Sequence, residues 1–226
     1  MADTLGGMDW GLFHTFEIIT SMTNVKRMIS PRTFFPLTFA AVPYAGLGRP
    51  ERGEGRTTMA SNMPVSIYLD VDGVVNPFGP QGVTDWGGEW KIADAGILDV
   101  AFAPEAVAEL NELAEHPFAR FVWLTTWERL APEFLCPAIG LKGEDWPVLT
   151  SQGWDQSAEW WKLGALQKDL AAMGAERFVW LDDQLGQESD ARSWAEYHQD
   201  RVLCISPDPR KGLSRRDLAA VRTFLG

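Results

Sequence analysis

The sequence predicts an α/β domain, a doubly wound and mainly parallel sheet flanked by helices, over residues 63–226. Two observations predict it. Four short runs (65–69, 121–124, 178–181 and 202–205) are β-rich and almost continuously apolar, which is how strands buried on both faces read. Helical segments separate those runs, and strands that alternate with helices imply right-handed crossovers between parallel neighbours.

Taken in order, 65–69 is the first strand and runs straight into acids. Residues 76–88 are rich in Gly and Pro and read as loop. Over 104–115, Val107, Leu110 and Leu113 recur at helical spacing, and Pro104 suits a first-turn position. Strand 121–124 follows, then a short helix over 128–135 and a short strand over 146–149. A helix over 157–173 is stopped by Gly174. After strand 178–181 come a helix over 190–198, strand 202–205 and a closing helix over 214–224, with Ser214 as its N-cap.

Residues 1–62 have no sustained helical or strand period. Their apolar run, Phe34 to Val42, is broken by Pro36 and follows Lys26, Arg27 and Arg32. It faintly resembles a secretion signal, but it is short and far from residue 1. A purine-rich coding stretch would give the segment 51–56, Glu-Arg-Gly-Glu-Gly-Arg, just ahead of Met59 and Met63. That is how a translated ribosome-binding site would read. The expectation is therefore that 1–62 is a start-site artefact or a disordered tail, and that 63–226 is the working domain.

Composition narrows the function. The 226 residues are 46% hydrophobic and carry a net charge of −11. This acidity argues against strong non-specific nucleic-acid binding, which needs a basic face. No apolar stretch is long enough to span a membrane. Cys136 and Cys204 alone make no disulfide framework, which fits a reducing, cytoplasmic setting.

In doubly wound folds the ligand lies beyond the carboxyl ends of the strands. Three strands here end in residues of one chemical theme: Asp70-Val-Asp72-Gly73, Thr125-Thr126 and Asp182-Asp183. Four carboxylates at one point repel unless a cation sits among them. Oxygen donors without thiolate or imidazole suit Mg²⁺ rather than zinc. Lys162 adds a positive charge, with Lys142 and Lys168 as alternatives. Trp123 and Trp180 lie within strands and read as core. His14, His116 and His198 form no catalytic constellation.

This arrangement resembles the haloacid dehalogenase-like (HAD) superfamily of phosphohydrolases. Asp70-Val-Asp-Gly-Val-Val75 matches the first motif, Thr125 the second, Lys162 the third and Asp182-Asp183 the fourth, all in the family's order. The segments Val-Trp-Leu-Thr-Thr-Trp127, Trp180-Leu-Asp-Asp183 and Asp208-Pro-Arg-Lys-Gly-Leu213 resemble a subgroup that includes a module of RNA-repair proteins. The resemblance implies a HAD-like, Rossmann-like fold and a Mg²⁺-dependent phosphomonoesterase working through an aspartyl-phosphate. It implies that Asp70 is the nucleophile and Asp72 the acid and base. Thr125 and Lys162 would bind the phosphoryl group. Asp70, the Asp72 carbonyl and either Asp182 or Asp183 would hold the metal.

Thr125 also reads as a cap for the following turn. Thr126 and Trp127 are candidates for lining the pocket. Arg210 and Lys211 either contact substrate or cap the last helix. The stretch from Gly73 to Ala103 suffices for a hairpin flap but hardly for a separate cap domain, so the site should be open. Its glycines make the flap mobile, and Trp86 and Trp90 would offer stacking faces. Open sites of this family take bulky substrates, and nucleotide or nucleic-acid-end phosphates are the expected ones. The alternatives are an inactive phosphate-binding or interaction protein, or another HAD chemistry such as phosphotransfer or dehalogenation.

Overall fold

The computed structural model describes residues 64–154 and 160–226. The expectations for 1–62, and for the first residues of the helix placed over 157–173, lie outside them. Four strands form one parallel sheet: β1 (Val65–Leu69), β4 (Ala119–Trp123), β5 (Arg177–Leu181) and β6 (Val202–Ile205), in the order β4-β1-β5-β6. A separate antiparallel hairpin is made by β2 (Lys91–Asp94) and β3 (Asp99–Phe102). The helices are α1 (Pro104–Ala114), α2 (Cys136–Ile139), α3 (Trp161–Met173), α4 (Ser189–Tyr197) and α5 (Arg215–Leu225).

The sheet separates two apolar layers by strand parity. On one face Tyr68, Val122, Leu124, Phe178 and Trp180 pack against Leu163, Leu166 and Leu170 of α3 and Ala191 of α4. Ile67, Leu69, Phe121, Trp123, Val179 and Leu181 alternate with them and are equally buried. Helices α1 and α5 contact each other and, respectively, β4 and β6. Fully burying a side chain such as Leu166 contributes about 1.5–3 kcal/mol. Ser214 caps α5 as expected, in a reciprocal capping box with Asp217.

Three elements differ from expectation. The helix placed over 128–135 is a turn followed by a π-helical stretch, Ala131–Leu135, and then α2. Glu128 has φ 47°, which no right-handed helix accepts, and Pro132 and Pro137 withhold N–H donors from the ladder. The strand over 146–149 shrinks to a single parallel bridge, Trp123 to Val148, because Pro147 offers only its carbonyl, to Trp123 N. Helix α3 begins at Trp161, since Trp160 is extended. The hairpin β2–β3 occupies the stretch expected to form a flap.

Candidate active site

Parallel pairing aligns the strand ends. Leu69 lies opposite both Trp123 and Leu181. Just beyond them Leu124 N donates to Leu69 O, Asp70 N to Leu181 O and Asp182 N to Ile205 O, each at 3.0–3.1 Å. This ladder sets Asp70, Thr125 and Asp182 side by side at one edge. The order of the strands also puts Asp70 and Asp182 where the chain switches direction from β1, toward β4 on one side and β5 on the other, as ligand sites in open α/β sheets require.

Lys162, in the first turn of α3, closes the group. Its Nζ donates to Asp70 Oδ2 at 2.7 Å and to Asp182 Oδ2 at 2.6 Å. Lys162 is 2% and Asp182 0% exposed. Burial works to discharge Lys162, but Asp182 and Asp70 outweigh it and hold its pKa above the ordinary value. Lys168 is on the surface, and Lys142 pairs there with Glu115, so only Lys162 of the three reaches the carboxylates.

One oxygen from each of Asp70, Asp182 and Asp183 lies within 4.8 Å of the others. Three acids thus face one ammonium. Burial, and then Asp70, push the Asp183 carboxyl up to about 6; burial raises Asp182 as well, against the pull of Lys162. A buried excess of hard oxygen donors with no sulfur or imidazole among them fits a hard divalent cation. Asp182 has both oxygens engaged, by Lys162 and by Gln184 N at 2.9 Å. Asp183 lies against Gly73: a Cβ on Gly73, whose φ is 76°, would stand 2.5 Å from Asp183 Cγ. Only glycine lets the two strand-end loops approach this closely.

The fourth acid is near enough for its charge to help raise Asp183, but it makes a bond of its own. Asp72 is half-buried, outside the three-acid cluster, and its Oδ1 accepts from Asn76 Nδ2 at 2.9 Å. Thr125 is fully buried and does serve as a cap, its Oγ1 accepting from Trp127 N at 3.2 Å. Thr126 is exposed. Trp127, expected at a pocket wall, is 1% exposed, a core position. Trp86 is likewise buried, its Nε1 bonded to Leu213 O, and offers no stacking face. Arg210 and Lys211 are exposed on a loop tied to the β1 loop by Phe78 N to Pro209 O and Leu213 N to Val74 O.

Three residues that sequence reasoning missed complete the surroundings. Asn76 holds Asp72. Glu128 accepts from Ser151 N and Oγ at 2.8 and 2.7 Å, tying the turn after Thr125 to the segment that leads toward α3. Ser206 Oγ donates to Asp183 O at 2.9 Å. Only the polar residue directly after strand 202–205 was detectable beforehand, as Ser206.

Chemically, the arrangement offers a buried carboxylate paired with a buried ammonium, a place that could hold a cation, and a second carboxylate two residues away. Among the described residues no helix is long and apolar enough to cross a membrane. No curated protein and no solved structure matches the chain. A family model described as "HAD domain in Swiss Army Knife RNA repair proteins" matches residues 66–218. That span runs from β1 into α5 and takes in every residue of the acidic cluster, and the chain accordingly belongs to this family of HAD domains.

Proposed function

We propose that this HAD-superfamily domain is a Mg²⁺-dependent phosphomonoesterase that works through Asp70, on phosphates at nucleotide or nucleic-acid ends. The observation that carries the reading is the Lys162 ammonium held between Asp70 and Asp182, beside an acid excess that fits a cation. In the first step an Asp70 oxygen attacks phosphorus. The bond from phosphorus to the leaving oxygen breaks, and that oxygen takes a proton from Asp72. In the second step water attacks the aspartyl-phosphate and gives a proton to Asp72. The bond from phosphorus to Asp70 then breaks and inorganic phosphate leaves. Splitting one displacement into two is the advantage of covalent catalysis. The ammonium of Lys162 offsets the charge that gathers on the phosphoryl oxygens.

Asp70 and Asp183, with the Asp72 carbonyl, would hold the Mg²⁺, which neutralises and orients the phosphoryl group. Asp183 is tried first because no bond to Lys162 ties its carboxylate, whereas Asp182 and Asp70 each accept from the ammonium and from a backbone N–H. Thr125 and Thr126 are proposed to meet phosphoryl oxygens, and Arg210 and Lys211 the rest of the substrate. Among the described residues the only insertion near the first acid loop is a hairpin, which suits a bulky substrate. The family's description puts phosphorylated RNA ends first among those to try.

The test is release of inorganic phosphate from an aryl phosphate, nucleotides and phosphorylated RNA and DNA ends, with Mg²⁺ and with chelator. Asp70→Asn, nearly isosteric and a far poorer nucleophile, should fall to background with its fold intact. Turnover of that variant above a few per cent of wild type, or activity indifferent to chelation, would overturn the reading.

A further inference from the structure

Asn76 joins the acid loop to the hairpin. It is 8% exposed. Its Oδ1 accepts from Ala101 N of β3 at 3.0 Å, and its Nδ2 donates to Asp72 Oδ1 at 2.9 Å. Its backbone is fixed as well: Asn76 N donates to Val71 O at 2.9 Å and Asn76 O accepts from Gly73 N at 2.8 Å. A side-chain amide has one acceptor end and one donor end. The β3 N–H requires the acceptor, and the Asp72 carboxylate requires the donor. A flipped amide would lose both bonds, so the two partners set its direction together.

We propose that Asn76 is a positioning residue that couples the β2–β3 hairpin to the carboxylate of Asp72. The hairpin holds the Asn76 amide, and the amide holds Asp72 in the direction it needs to serve the leaving oxygen. A hairpin displaced by a substrate or a partner takes the Asn76 amide away from Asp72. Coupling of this kind is reciprocal, so Asp72 also steadies the hairpin. The catalytic consequence rests on the reading of Asp72 as acid and base; the link from hairpin to carboxylate does not.

Two measurements on the full chain test it. The first is a double-mutant cycle under single-turnover conditions with an alkyl phosphate, whose leaving oxygen needs a proton. Asn76→Ala should slow the step about tenfold in the wild-type background, a coupling of the size seen for residues in contact, without changing the concentration that half-saturates the single-turnover rate. It should have no further effect on Asp72→Ala. Equal loss in both backgrounds would mean that Asn76 acts on the fold and not through Asp72. Asn76→Asp keeps the acceptor for Ala101 and replaces the donor to Asp72 with a carboxylate that repels it. It should slow the step at least as much as Asn76→Ala does while preserving the Ala101 bond, and it stands in if the alanine variant does not fold.

The second measurement is hydrogen exchange at the Ala101 amide, which needs no activity. Exchange should quicken about threefold or more in Asn76→Ala and in Asp72→Ala and stay unchanged in Asp70→Asn. An Ala101 amide indifferent to Asp72→Ala would overturn the coupling. A protein with no phosphatase activity but with the expected exchange pattern would refute the functional reading and leave the coupling standing.

Discussion

Helix α3 carries two charged side chains to the same face of the sheet, two turns apart, and they end in contrasting surroundings. Asp169 accepts two bonds from Arg120, at 2.8 and 3.1 Å, and one from Tyr68 at 2.8 Å, while Arg120 also reaches Ser66 Oγ. Burial, then the bond to Asp169, pushes the Tyr68 phenol well above its ordinary range, so this group is one cation, one anion and two neutral hydroxyls. Its charge is balanced within the protein. At Lys162 one cation faces three acids and the balance fails. A polar cluster that only fixes a helix on a sheet can close its own charge. A cluster that leaves charge open can be completed by a proton, toward which the raised Asp182 and Asp183 carboxyls lean, or by a cation, and that imbalance marks the site more clearly than burial does, since both groups are largely hidden from water.

The contrast can be broken most forcefully at Lys162. Lys162→Met leaves Asp70 and Asp182 buried without their cation, and removing one partner of a buried pair costs about 3–5 kcal/mol. In chelator, melting should fall by roughly 6–20 °C for a domain of this size. A fall under about 2 °C would mean that the ammonium is not what holds the acids in place.

Adding Mg²⁺ to the wild-type protein should raise its stability by about 2.7 kcal/mol at a hundred times the dissociation constant, read as a thermal shift. Asp183→Asn should abolish most of that shift. An equal shift in the variant would remove Asp183 from the metal site.

The smallest effect is expected at the balanced cluster. Arg120→Met combined with Asp169→Asn removes both charges and keeps an acceptor for Tyr68. Replacing a whole buried pair is often close to neutral, so stability should change by no more than about 1–2 kcal/mol, and phosphate release by less than about twofold. A loss of activity comparable to that of Lys162→Met would erase the distinction drawn between the two clusters.

The four parallel strands were legible because each is a short apolar run with no competing helical period. The three-acid cluster and Lys162 were legible because chain order and strand ends nearly dictate which residues meet. What the sequence did not show is the bond from Asn76 to Asp72, since Asn76 looked like any loop polar before its two partners were known. Glu128 was hidden for a similar reason: a left-handed φ on a non-glycine residue is fixed by tertiary bonds, here from Ser151, and leaves no mark in local sequence. Trp127 shows the limit of reading by adjacency. Following a strand-end motif says where a backbone goes, not which way an indole turns, and this one turns inward.

The position of β1 in the sheet also governs when the site comes into being. This strand opens the described domain, but its ladder partners are β4 and β5, which start at Ala119 and Arg177. Until both have been synthesised, Asp70 has no neighbour to hold it and Lys162 has nothing to bridge. Pairings so distant along the chain form slowly, because a long loop has to close before the contact is gained. A nascent or truncated chain ending before β5 therefore holds Asp70 without Asp182 or Asp183, and the cluster cannot be complete until β5 has been made.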